Sequence, residues 1–312
     1  MGVVLVLGGL GLVALPGLLR PLGRRLDPRD WARLCAAALA AGLAVFELGL
    51  VFYAAPTVLP AIGAFGLASI CRHMLGGVAP GGSVAGWGAG SLAVVVASLV
   101  GLSMMQGRRI RRGTRVEPWL GEHSHLGRHE LVVLEREDLV ALSVDCRGGQ
   151  VVVSSGLVRS LHADELSIVL AHETAHLDHR HQRYLSLASA VRHGLAVFPL
   201  AARSVTALVV ALERWADEVA VATADDGRDR LRGALRRVTA SMVGVEVAAF
   251  SAADTVAERL AALDEPPPRL NGASLGLLYS PGFAIGVASV AGLGVWISNL
   301  QMLIQMAGRC PL

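Results

Sequence analysis

The sequence predicts a membrane protein, mainly α, in which about four transmembrane helices carry a cytoplasmic α+β domain with a small antiparallel sheet. Three observations predict it. Of 312 residues, 53% are hydrophobic and only 4% aromatic, with a mean hydropathy of +0.54, a value that soluble globular domains seldom reach. Four apolar runs approach the roughly 20 residues that cross a hydrocarbon core. Between the third and fourth runs lies a more charged stretch in which β-prone segments give way to helical periodicity.

The four runs are 2–19, 34–53, 86–105 and 282–304. The first lacks the positive n-region of a signal segment, and its arginines follow it, so it reads as a retained N-out helix. All basic side chains are arginine, and the formal net charge is only +3. Arg20, Arg24, Arg25, Arg29 and Arg33 follow the first run, and Arg108, Arg109, Arg111, Arg112 and Arg115 follow the third. The positive-inside rule makes both clusters cytoplasmic. The apolar stretch 57–71 would place them on opposite sides if it crossed, so parity makes it re-entrant or interfacial.

The expected layout has three spans in 1–105, with a cytoplasmic loop 20–33 and an extracytoplasmic loop 54–85. A cytoplasmic domain 106–281 and a last span in 282–312 follow, with both termini outside. Cys71 and Cys310 then share the oxidising face, where a bridge is permitted, whereas Cys146 sits in reducing cytoplasm; sequence alone does not fix the geometry of a bridge. No CxxC spacing occurs among the four cysteines, so neither a cysteine zinc site nor a disulfide-dense secreted scaffold is indicated. Glu47 is an ionisable residue at span depth, either functional or a protonated carboxyl bonded between helices. "GFAIG" at 282–286 fits a small-residue packing pattern, a weak signal among 36 glycines.

In the cytoplasmic stretch, 130–135, 139–146 and 150–155 read as strands, the last two joined through the turn Arg147-Gly148-Gly149. A helix without Pro or Gly is expected from about 163 to 185. It carries "HETAH": His172 and His176 project from one face a turn apart, with Glu173 beside the first. Two imidazoles on a rigid element fix half of a zinc tetrahedron, and the glutamate is placed to take a proton from a water there. His179 and His181 fall off the ligand spacing and are expected near the helix end. In "ALERWADEVA", 211–220, Glu213 and Asp217 are again four apart. Alone they would read as a solvated helix face. Beside HExxH, Glu213 can complete the metal site, and Asp217 can accept the free ring N–H of a ligating histidine. The apolar interval between the motifs cannot cross once without separating Glu213 from the histidines, so it reads as membrane-abutting helices broken near Pro199 and Arg203.

HETAH followed by ERWAD resembles the gluzincin pattern HExxH...ExxxD of zincin-like domains. "VVVSSGLVRSLHADELSIVLAHETAHLDHRH" resembles the core of two related kinds of integral-membrane metallopeptidase, the BlaR/MecR-type antibiotic sensors and the HtpX-type proteases, with a looser echo in "AERLAALDEPPP" at 257–268. Three spans before the domain and one after it resemble the first layout. The resemblance implies one Zn2+ per chain, held by His172, His176 and Glu213, with Glu173 as general base and Asp217 orienting a ligand. It also implies that the strand Gln150, Val151, Val152, Val153 and Ser154 is the edge to which an extended peptide adds.

The expected activity is zinc-dependent endopeptidase cleavage at the cytoplasmic membrane face; the resemblance to the antibiotic sensors implies regulated proteolysis of a transcriptional repressor as one role open to it, with no extracellular sensor domain expected. The alternatives are a quality-control protease of HtpX type and a non-catalytic metal-binding scaffold. The partners implied are the bilayer and a protein or peptide substrate. Direct nucleic-acid binding is not indicated, because the arginine clusters abut spans, where orientation already explains them. Tyr184, His179 and the arginines between 228 and 237 are undiscriminated candidates for an oxyanion donor.

Overall fold

The computed structural model describes residues 2–66, 84–113, 116, 121–146, 148–241 and 249–265. Four helices come first: α1 (Gly2–Leu18), the short α2 (Arg20–Gly23), α3 (Pro28–Ala61) and α4 (Val84–Gly113). The Asp27 carboxylate accepts from the backbone N–H of Arg29 and Asp30, and Pro28 takes the first position, where no amide donor is needed. With 34 residues, α3 rises about 50 Å at 1.5 Å per residue, beyond a hydrocarbon core of about 30 Å. It runs past the expected end of the second span and absorbs the start of the 57–71 stretch.

Among the described residues two helices are long and apolar enough to cross a membrane, Pro28–Ala61 and Val84–Arg109. These two helices contain the second and third of the four expected spans. Gly2–Leu18 is a shorter apolar helix, and 282–304, Cys71, Cys310 and "GFAIG" lie outside the described residues. α1 and α3 meet through glycines: a Cβ on Gly9 would lie 2.4 Å from Phe46 N, and one on Gly42 would lie 2.7 Å from Val13 Cγ2. Only hydrogen at these positions lets the backbones come so close.

A four-stranded sheet follows, in the order β1 (Glu122–Leu126), β2 (His129–Leu134), β4 (Gln150–Ser154), β3 (Ala141–Val144). The expected β3–β4 hairpin forms, with Gly148 and Gly149 at φ of +98° and +70°, a region that favours glycine. The sheet is mixed, however, because β2 and β4 pair in parallel. After β2 the chain crosses the end of β4 before returning as β3. Ser154 Oγ accepts from Val140 N and Ser155 Oγ from Arg136 N, which ties the crossing segment to the end of β4. A Cβ on Gly156 would come within 2.3 Å of Glu137 O, so the crossing also needs glycine there.

The remaining helices are α5 (Ser155–Ser160), α6 (Ala163–Asp178), α7 (His181–Gly194), α8 (Pro199–Val221), α9 (Gly227–Ser241) and α10 (Ala249–Asp264). The helix expected over 163–185 starts as read but breaks at Arg180, whose φ of +56° turns the chain into α7. α8 starts at Pro199 and continues unbroken through Arg203. The interval that could not cross once is therefore a hairpin of α7 and α8. A Cβ on Gly194, at the end of α7, would touch Val96 and Val100 of α4, and Ser204 of α8 bonds to Gly17 N and Ala14 O of α1. One apolar core runs through α1, α3, α4, α7 and α8, from Val13, Leu39 and Phe46 to Val96, Val191, Leu208 and Trp215.

Candidate metal centre

The site is built where α6 and α8 pack. Helical spacing puts His172 Nε2 and His176 Nε2 3.1 Å apart. From α8, Glu213 brings Oε2 to 3.5 Å from His172 Nε2 and Oε1 to 3.6 Å from His176 Nε2. These separations bracket the edge of about 3.3 Å that donors at zinc bond lengths of about 2.0–2.1 Å make on a tetrahedron. The three side chains form the one group among the described residues whose donor atoms could hold a metal ion, all within 4.8 Å of one another. Two imidazoles and a carboxylate are donors that suit zinc.

Asp217, a turn beyond Glu213, lies with Oδ1 3.0 Å from His172 Nδ1, the nitrogen facing away from the other donors. A carboxylate at this distance from the second nitrogen of a histidine is suited to orient the ring. Arg259 of α10 was not foreseen. Its guanidinium meets Asp217 at 2.9 and 2.6 Å and Glu213 Oε2 at 3.1 Å, and its side chain is only 11% exposed. The signal was the echo at 257–268, within which Arg259 is the only basic residue.

Burial and charge act against each other at every member. Burial disfavours the imidazolium of His172, but contacts with Asp217 and Glu213 outweigh it and push the ring up to about 9. Burial takes His176 the other way, down to about 4. Burial also opposes ionisation of Glu213, yet contact with His172 and the Arg259 charge hold its carboxyl well below the usual range. Asp217 is held down by Arg259 and His172 against burial. Glu173 is raised by burial, with His172 and a hydrogen bond from Ser143 acting against the rise. A carboxylate whose carboxyl is raised is a stronger proton acceptor than a free one.

Glu173 shares a cleft of about 460 Å³ with His172, His176, Glu213 and Arg259, walled on one side by β3 and its approach, Leu139–Ser143. The sheet order corrects the expected substrate strand. β4, Gln150–Ser154, is paired on both sides and buried throughout, so it offers no edge; β3 is the outer strand beside the cleft. Of the candidate oxyanion donors, His179 stacks on Trp215 and Tyr184 packs edge-on to it. Arg228, Arg230, Arg232 and Arg237 are engaged by Glu218, Asp226, Asp264 and Glu165. None of these six, nor Arg236, lines the cleft, whereas Gln182 and Arg259 do.

Residues 120–266 match the model of peptidase family M48. The match runs from the start of the sheet to the end of α10 and supports a metallopeptidase. No curated protein and no solved structure matches the chain.

Proposed function

We propose that this protein is a zinc-dependent, membrane-embedded endopeptidase that hydrolyses peptide bonds at the cytoplasmic membrane face. The observation that carries the reading is the convergence of His172, His176 and Glu213 with Glu173 in one cleft. A purely structural metal site has no use for an acid beside its first ligand.

His172, His176 and Glu213 would hold a zinc ion, which would supply Lewis acidity toward a scissile carbonyl and a water. Glu173 takes the proton of the attacking water and returns it to the leaving amine. Asp217 orients the His172 ring, and Arg259 keeps Glu213 and Asp217 ionised. An extended substrate adds its backbone to the free edge of β3, which holds it along the cleft.

Contacts between the arginine-rich loop and α8 support the location. Arg214 donates to Gly23 O and Arg24 O, and Trp215, two residues from Glu213, lies 5.8 and 5.6 Å from the guanidinium carbons of Arg29 and Arg33. Arg20 and Arg24 also pair with Glu258, beside Arg259. Whichever face holds loop 20–33 therefore holds the site, and its arginines favour the cytoplasm.

Removing metal from the detergent-solubilised full chain with a chelator should abolish cleavage of an unstructured polypeptide, and one equivalent of zinc should restore it. Cleavage that survives complete metal removal refutes the reading. Zinc bound without any cleavage returns the scaffold alternative. Substrates retained in cells by a Glu173→Ala trap separate a single regulator, such as a repressor, from the many membrane proteins of a quality-control role.

A further inference from the structure

The HExxH spacing leaves His181 without a part, yet its side chain is fully buried against the site. Arg180 adopts the left-handed conformation between α6 and α7, and the turn brings His181, the first residue of α7, back beneath His176. The two Nδ1 atoms lie 2.9 Å apart. Trp215, with its ring centroid 4.7 Å away, and Tyr184, at 6.3 Å, hold the His181 ring in place.

We propose that His181 is the positioning residue for the second metal-ligating histidine, accepting the Nδ1–H of His176 so that His176 presents the lone pair of Nε2 to the metal. This rests on the metal-centre reading above. His176 Nε2 faces His172 Nε2 and Glu213, so it is the ligating nitrogen and carries no proton when metal is bound. A neutral ring then carries its proton on Nδ1, and the atom that meets it is His181 Nδ1. His181 in turn carries its own proton on Nε2. That nitrogen is buried without a partner among the described residues. Buried polar groups are nearly always hydrogen-bonded, and an apolar side chain would avoid the orphan. A histidine retained at a position of 0% exposure is accounted for by its other nitrogen. The two ligands are thus served differently, His172 by the carboxylate of Asp217 and His176 by a neutral ring. Ligand-orienting partners of this kind fix the tautomer and the ring plane of a metal-bound imidazole.

The test is zinc affinity of the metal-free, detergent-solubilised full chain, measured by competition with a chromophoric chelator. Three proteins are compared: wild type, His181→Leu, which deletes the acceptor at similar volume, and His181→Asn, whose carbonyl can stand in for Nδ1. His181→Leu should bind zinc about 10–100-fold more weakly, and His181→Asn should recover most of that loss. Unfolding midpoints of the metal-free variants show whether each has folded. If His181→Leu does not fold, His181→Ser, which offers no acceptor at that reach, takes its place beside His181→Asn. Wild-type affinity in the acceptor-less variant overturns the proposal, as does an equal loss in the acceptor-less and Asn variants. A wild-type chain that binds no zinc overturns the metal-centre reading itself, and this proposal with it.

Discussion

Replacing Arg259 by Met removes the guanidinium that touches both Glu213 and Asp217 while keeping most of its length and apolar stem. The side chains involved are 4% exposed at Asp217, 25% at Glu213 and 11% at Arg259, so water cannot take over the cation's role. Arg259 makes three contacts of 2.6 to 3.1 Å with the pair. Breaking a buried ion pair from one side costs about 3–5 kcal/mol, because the remaining charges stay behind unpaired. His172, raised to about 9 by the same carboxylates, offsets only part of this below that pH. The metal-free variant should therefore lose about 3–5 kcal/mol, read by urea unfolding at neutral pH. Zinc supplies a replacement cation at Glu213, so it should stabilise the variant more than the wild type. A loss below about 1 kcal/mol, the range of an exposed pair, or equal stabilisation of both chains by zinc, would refute the electrostatic argument.

Zinc binding should release a proton and tighten with rising pH. In the metal-free chain His172 is protonated below about 9, whereas His176, at about 4, is already neutral at pH 7; affinity that is flat between pH 7 and 9 contradicts this. Because the folded value of His172 lies above its unfolded value, its contribution to metal-free stability is complete below about pH 6.5 and fades as pH rises through about 9, which thermal unfolding across that window measures. Gly9→Leu or Gly42→Leu should force α1 and α3 apart and cost about 1–3 kcal/mol, visible as a lower unfolding midpoint in detergent; an unchanged midpoint sinks the close-approach argument. Arg180→Val places a β-branched residue at φ +56° and should cost about 1–2 kcal/mol and weaken zinc binding through His181, whereas Arg180→Gly should be tolerated.

What the sequence disclosed is what depends on local spacing. His172 and His176 are four apart, as are Glu213 and Asp217, so each pair was bound to share a helix face once its segment was helical. The starts of α6 and α8 followed from capping residues and from Pro199. Hidden was whatever depended on distant contacts or on an unsignalled backbone state. An arginine with positive φ carries no composition cue, so helical periodicity runs on through Arg180 and leaves His181 off the ligand spacing. Arg259 reaches a pair more than 40 residues away, which no periodicity encodes. The sheet does carry a cue: an unbroken Val151-Val152-Val153 run indicates a strand covered on both faces, hence an interior one. Its parallel partner depended on Ser154 and Ser155 holding the crossing segment, a contact of side chain with distant backbone. Apolar composition gave the helices of the membrane region, but not that α7 and α8 fold back among them.

The most direct measurement is peptide-bond hydrolysis by wild type and Glu173→Gln at equal zinc occupancy. Gln keeps the size of the side chain and leaves His172, His176 and Glu213 in place, so both chains should bind one zinc. Hydrolysis by Glu173→Gln should fall by about 10²–10⁴-fold, the contribution of a positioned acid–base group. Equal rates in the two chains would contradict the account at its centre.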